Sequence, residues 1–245
     1  MKNQWKKIWK KLTGIMLVIS VTIAAVYFGG RGAIESTMLA SVIKKPYEPP
    51  IIILDAGHGG MDGGCSSVNG TPEKGINLNI MLHLREMLRA CGYTVEVTRE
   101  TDRSIHDDGI EGIANQKSSD MDNRLALFNK CNNAVCISIH QNQFTDPAYS
   151  GAQMFYSNEV KGSSALAQSL QDAFSSQLQP ENKRETKLCG KELFLCYFCE
   201  NPTVMVECGF LSNPEEASLL ESEEYQQKVA FTIFGGLQQY LGTLV

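Results

Sequence analysis

The sequence predicts an α/β domain: a single mixed, largely parallel sheet flanked by helices on both faces, preceded by an N-terminal membrane anchor. Three observations carry this. Residues 51–99 read as strand, glycine-rich loop, helix and strand, a unit that pairs its strands in parallel. Further apolar, strand-like runs recur at 134–140 and 203–208 with helical stretches between them. A lysine cluster at the start of the chain precedes a long uncharged segment.

Taken in order, Lys2, Lys6, Lys7, Lys10 and Lys11 come first, and no charge occurs from Leu12 to Gly30. That length is close to the roughly 20 residues a spanning helix needs, and no good small-x-small cleavage site follows it. Residues 1–30 therefore match either a signal segment or a membrane anchor, and the poor cleavage site favours an uncleaved anchor with the lysines inside. Residues 31–50 form a linker whose Pro46, Pro49 and Pro50 end any helix. Residues 51–245 are left as one folded domain.

That domain opens with Ile51-Ile52-Ile53-Leu54, an apolar run typical of a buried strand, and turns at Gly57-His58-Gly59-Gly60. From Gly75 to Cys91, apolar residues at 76, 80, 81, 84, 87 and 88 make a helical stripe that Gly92 ends. Residues 93–99 alternate as a strand, and 101–119 are a long polar loop expected to flank the cleft. Helices follow at 119–132 and 163–178, strands at 134–140, 153–156 and 203–208, and closing helices at 214–220 and 224–241. Leu193 to Phe198 is read as a short strand.

Hydrophobic residues make up 43% and charged residues 20%, which excludes a disordered chain. A net charge of −5 without a basic, aromatic-interleaved patch argues against nucleic acid as a partner. Of the eight cysteines, Cys136 and Cys208 fall inside strand-like runs and read as small buried hydrophobes. Cys196 and Cys199, with Cys189 nearby, form one knuckle where a structural zinc site normally uses two.

His58, His140 and Glu207 each follow a strand-like run. Ends of neighbouring parallel strands lie about 5 Å apart, so residues remote in sequence converge there. Glu73, in a loop just ahead of a helix, can fold back onto the same rim. Two imidazoles and one carboxylate leave the fourth position of a zinc ion open, as in catalytic sites. Zinc lowers the pKa of water to about 7 and polarises a carbonyl, while an unligated carboxylate moves protons. Glu207 fits that last task. His83 and His106 read as an ordinary helix histidine and a loop histidine.

Four segments taken together closely resemble the zinc-dependent N-acetylmuramoyl-L-alanine amidases: Leu54-Asp55-Ala56-Gly57-His58-Gly59-Gly60, Gly70-Thr71-Pro72-Glu73-Lys74, Ser138-Ile139-His140-Gln141-Asn142, and Val206 to Asn213. The resemblance runs from about Ile51 to the end of the chain. It implies an α/β sheet flanked by helices, one zinc ion held by His58, Glu73 and His140, and Glu207 as acid and base. It also implies mainly structural roles for Thr98, Arg99, Asp102 and Arg124. The implied reaction is hydrolysis of the amide between the lactyl group of N-acetylmuramic acid and L-alanine, with glycan strands and stem peptides as the substrate.

A short chain with an N-terminal anchor and no wall-binding repeats looks most like the sporulation branch of that family. That branch strips cortex peptidoglycan before muramic-δ-lactam is completed, acts outside the cytoplasm in the forespore intermembrane space, and in some members depends on a lipoprotein activator. The rival readings are another wall-directed metallohydrolase, a deacetylase or carboxypeptidase, or a non-catalytic peptidoglycan binder. Gln141 and the cysteine content depart from the usual family pattern.

Overall fold

The structure is a computed structural model and describes residues 48–244, together with residues 16, 17, 19, 20 and 22–28. It divides into two units, Met1–Glu48 and Pro49–Val245. In the first, the described residues up to Phe28 are helical and exposed. The rest of the expected anchor, and residues 31–47 of the linker, lie outside the described residues. Among the described residues no helix is long and apolar enough to cross a membrane.

In the second unit six strands make one sheet: β1 (Ile51–Ala56), β2 (Val95–Val97), β3 (Ala134–Asn142), β4 (Gln153–Tyr156), β5 (Lys187–Leu188) and β6 (Thr203–Phe210). They lie in the order β2-β1-β3-β6-β4-β5. β1 pairs in parallel with β2 and β3, and β3 with β6. β4 runs antiparallel to β6 and carries β5 parallel to itself, so the sheet is mixed and mostly parallel, as expected. Helices are α1 (Glu73–Ala90), α2 (Ile113–Phe128), α3 (Ser163–Ala173), α4 (Phe194–Phe198), α5 (Pro214–Leu220) and α6 (Glu223–Gly242).

Period-two alternation sorts the strand residues onto two cores. Ile52, Leu54, Ile137, Ile139, Val204 and Val206 face a large core filled from α1, α3 and α6 by residues such as Leu84, Leu170 and Ile233. Ile53, Ala134 and Cys136 face a smaller one closed by Phe128 of α2 and Leu195 of α4. Both faces of the sheet are thus covered, which is why the central strands read as continuous apolar runs. Each fully buried Ile or Leu contributes about 1.5–3 kcal/mol, so the three central strands are the most firmly held part of the sheet.

Three elements differ from expectation. Residues 194–198 form a helical turn rather than a strand, with the rings of Phe194 and Phe198 tilted against each other, centroids 5.0 Å apart, at the helical i, i+4 spacing. α2 begins at Ile113, six residues early, because its first turn has no apolar stripe: Ile113 is 63% exposed. The end of the helix predicted over 163–178 widens into a π turn at Phe174–Leu178, where the Gln179 N–H reaches back to the Phe174 carbonyl at 2.7 Å. The two-residue β5, exposed at both positions, has no sequence signal.

Candidate metal centre

Two buried arginines shape the loop after β1. Arg124 Nη1 donates to the Asp55 carboxylate and to the Ala56 carbonyl at 2.9 Å, Nη2 donates to the His58 carbonyl at 2.7 Å, and Nε to Asp120 at 2.7 Å. Arg99 donates to the carbonyls of Ala56, Gly57 and Lys74 at 2.7–3.0 Å. Together they gather the loop's carbonyls and hold His58 at φ +64°, a left-handed conformation uncommon outside glycine. Burial pushes the Asp55 carboxyl up, but Arg124, His140 and the hydroxyls of Ser138 and Thr98 hold it below its ordinary value.

Arg124→Leu leaves Asp55 buried without its cation and is expected to cost about 3–5 kcal/mol at pH 7, measured by chemical denaturation. Because the Asp55 pKa is depressed on folding, the stability it contributes is present above the unfolded value of about 3.9 and is lost as pH falls through the folded value. The difference between wild type and variant should therefore shrink below about pH 4.

The loop delivers His58 against Glu73, the first residue of α1, where the helix N-terminus favours a carboxylate. His58 Nε2 lies 3.2 Å from Glu73 Oε2, and His140 Nδ1 lies 3.1 Å from Glu73 Oε1. The imidazole rings meet edge to face with centroids 4.9 Å apart. Glu73 is fixed from behind by the N–H groups of Cys65 and Gln141, both at 3.0 Å, and by Asn77 at 2.9 Å. Burial pushes the Glu73 carboxyl up, yet its hydrogen bonds to His140 and His58 outweigh this and hold it well below the usual range. Burial pushes His58 down, but its hydrogen bonds to Glu73 and Asp62 raise it to about 9.

His58, Glu73 and His140 each offer a ligand atom within 4.8 Å of the others, the one such group of three or more among the described residues. The cysteine knuckle forms no such group. Two nitrogens and one carboxylate oxygen suit zinc, with one position left for a substrate oxygen or water. Asp62 Oδ2 accepts from His58 Nδ1 at 2.9 Å and so directs Nε2 toward Glu73. Lys117 in turn holds Asp62 at 2.9 Å, placing the long loop and the start of α2 beside the cleft.

Space for this cluster depends on glycine. A Cβ on Gly57 would overlap the His140 ring, and one on Gly64, at φ +70°, would meet Glu73 Oε2 and the His58 ring. Gly57→Ala is expected to push His140 out of place and abolish metal uptake while the sheet stays folded. Metal content and the thermal midpoint, measured on the same sample, check this.

Glu207 stands directly opposite His140 in the β3–β6 register. It is not one of the three clustered residues, and its Oε2 is buried with no hydrogen-bond partner. Burial foremost, and the charge of Glu73, push its carboxyl up to about 7, while the nearby His140, His58 and Arg184 pull it down. A carboxyl poised near neutral pH can both accept and return a proton. The cleft lined by His58, His140 and Glu207, about 290 Å³, has an apolar wall of Met121, Leu193, Phe194, Leu195 and Met205.

A family model described as Amidase_3, N-acetylmuramoyl-L-alanine amidase, matches residues 52–239. The chain belongs to this amidase family. It is 35% identical over 201 residues to the germination-specific N-acetylmuramoyl-L-alanine amidase of Bacillus subtilis, covering 80% of this chain and 83% of that one. Among solved structures, the CwlD amidase of Clostridioides difficile, determined in complex with the GerS lipoprotein, superimposes with a TM-score of 0.76 at 37% identity, covering 79% of this chain and 99% of that one. An N-acetylmuramoyl-L-alanine amidase from Clostridium difficile 630 gives a TM-score of 0.68 at 28% identity, covering 80% and 99%. The enzyme is thus an N-acetylmuramoyl-L-alanine amidase acting on peptidoglycan.

All four residues expected of the amidase site lie together. His83 is half-buried on α1, and His106 pairs with Ser104 at 2.9 Å. Two contributors escaped the sequence reading. Asp62 had the signal of an acid four residues past the first histidine, whereas Asp55, in the same motif, reads as a strand residue until its buried partners are seen.

Proposed function

We propose that this amidase is a one-zinc enzyme of spore-cortex maturation. His58, Glu73 and His140 hold the ion, and Glu207 is the acid and base. When bound, zinc supplies Lewis acidity, making water acidic enough to attack at neutral pH and polarising the lactyl carbonyl. Glu207 takes the proton of the attacking water and gives it to the departing L-alanine nitrogen, so that the stem peptide leaves as a neutral amine before protonation in solution. Asp62 keeps the His58 tautomer, and the Cys65, Asn77 and Gln141 donors keep the Glu73 carboxylate aimed at the imidazoles.

The observation that carries this reading is the pairing of His140 with Glu207 across β3 and β6, beside a His-Glu-His cluster that leaves Glu207 out. Residues 1–30 anchor the catalytic domain, residues 51–245, on the extracytoplasmic face, with 31–50 as the tether. The spore role is supported by likeness to the germination-specific relative. Likeness to the CwlD complex supports a lipoprotein activator.

Digestion of cortex-type peptidoglycan by the full chain, with products weighed before and after chelation and zinc return, tests the chemistry. Release of free stem peptide that stops with chelator and resumes with zinc is expected. Loss of acetate or of a terminal alanine would assign another hydrolase class. Spores lacking the protein should have cortex without muramic-δ-lactam, and a cortex with normal lactam would remove the sporulation role.

A further inference from the structure

On the side of β6 away from His140, Gln153 of β4 lies opposite Glu207. Gln153 Oε1 accepts from Arg184 Nη2 at 2.6 Å, and the guanidinium carbon sits 4.9 Å above the Phe210 ring. Gln153 is itself fixed, donating to the Glu185 carbonyl at 2.8 Å. Arg184 Nε is buried and has no hydrogen-bond partner. None of the ion pairs among the described residues includes Arg184.

Two acids line the adjoining cavity, Glu181 and Glu216, and Glu216 is already engaged by the N–H groups of Phe210 at 2.7 Å and Gly151 at 2.9 Å. That cavity, about 410 Å³, is lined by Gly151, Asn182, Lys183, Arg184 and Glu216. A guanidinium clamped on one nitrogen and one face, with a buried N–H unmatched, is preorganised for an anion, and its planar fork matches a carboxylate.

We infer that Arg184 is a specificity-determining contact for the stem peptide, taking the α-carboxylate of the acidic residue that follows L-alanine. This rests on the amidase assignment. In a γ-linked D-glutamate that carboxylate is free and lies within two residues of the scissile nitrogen, a reach of at most about 7 Å. Glu207 and Gln153 stand on adjacent strands about 5 Å apart, so a peptide leaving Glu207 toward β4 brings this group to Arg184. An intact glycan strand, whose muramoyl carboxyls are tied up as amides, offers no anion there.

The test uses the full zinc-loaded chain on two muramoyl tripeptides, L-Ala-γ-D-Glu-L-Lys and its D-isoglutamine counterpart, in which only the α-carboxylate is amidated. Wild type is expected to favour the free acid by about 10- to 100-fold in kcat/KM, mainly through KM. Arg184→Gln should erase that preference with little change on the amidated substrate, and Arg184→Lys should keep part of it. Zinc content and thermal midpoint verify that each variant is folded.

Equal losses on both substrates would overturn the inference: Arg184 would then act on the fold or on Glu207. A preference surviving in Arg184→Gln would overturn it too. Failure of wild type to release peptide from either tripeptide would count instead against the amidase reading.

Discussion

Glu207→Gln is expected to lower kcat by about 10²–10⁴-fold, the span that a positioned proton carrier contributes, with zinc content unchanged. The argument rests on shape and charge. Glutamine keeps the volume of the buried side chain and cannot accept a proton from water at neutral pH. Its neighbour His140 stays in place because the two are related through backbone register, not through a hydrogen bond between them. Kinetics on defined muropeptides, with metal quantified on the same preparation, separate the two effects. A variant that kept its rate would remove Glu207 from the chemistry. One that lost zinc along with rate would make it a ligand.

The second large effect concerns Glu73. Glu73→Ala is expected to abolish zinc retention and with it activity. It removes the anion that meets both imidazoles at 3.1–3.2 Å and leaves them facing each other across an empty space. The N–H groups of Cys65 and Gln141 lose their acceptor as well. Asp62→Asn supplies the scale. It touches only the outer nitrogen of His58, so the expected fall in affinity is about 10–100-fold, as for other outer partners of metal ligands. Competition with a chromogenic chelator should therefore order the proteins wild type, Asp62→Asn, Glu73→Ala. Equal affinities for the last two would mean that Glu73 is not a ligand.

Much of this architecture can be read from the chain because the central strands are buried on both faces. Ile52–Leu54, Val135–Ile137 and Val204–Val206 have no solvent side, so their apolar character is unbroken and each ends visibly in a polar group. The four site residues fall at those ends or at the start of α1, where topology alone brings them together. What escaped is where local pattern and tertiary context part company. Phe194–Phe198 carries strand-like residues but coils into one turn that puts Leu195 in the core with Ile53 of β1 and Cys136 of β3. The first turn of α2 carries no buried apolar stripe because Ile113 and Ala114 face solvent rather than the core. Asp55 and Arg184 announce nothing in sequence, since a buried charge is recognisable only from the partners around it or from the one it lacks.

The strand order has a consequence for which parts of this enzyme can change. The hydrolytic groups ride on β1, β3 and β6, interior strands hydrogen-bonded on both sides. Arg184 and Gln153 belong to the margin, where the outer side of β4 is covered only by the two-residue, exposed β5. Backbone amides of the interior strands should therefore exchange with deuterium only on global opening, and those around β5 far sooner. The reaction machinery is thus insulated from a pliable peptide-reading margin, and substitutions accumulating there can retune which wall chemistry is accepted without disturbing hydrolysis itself.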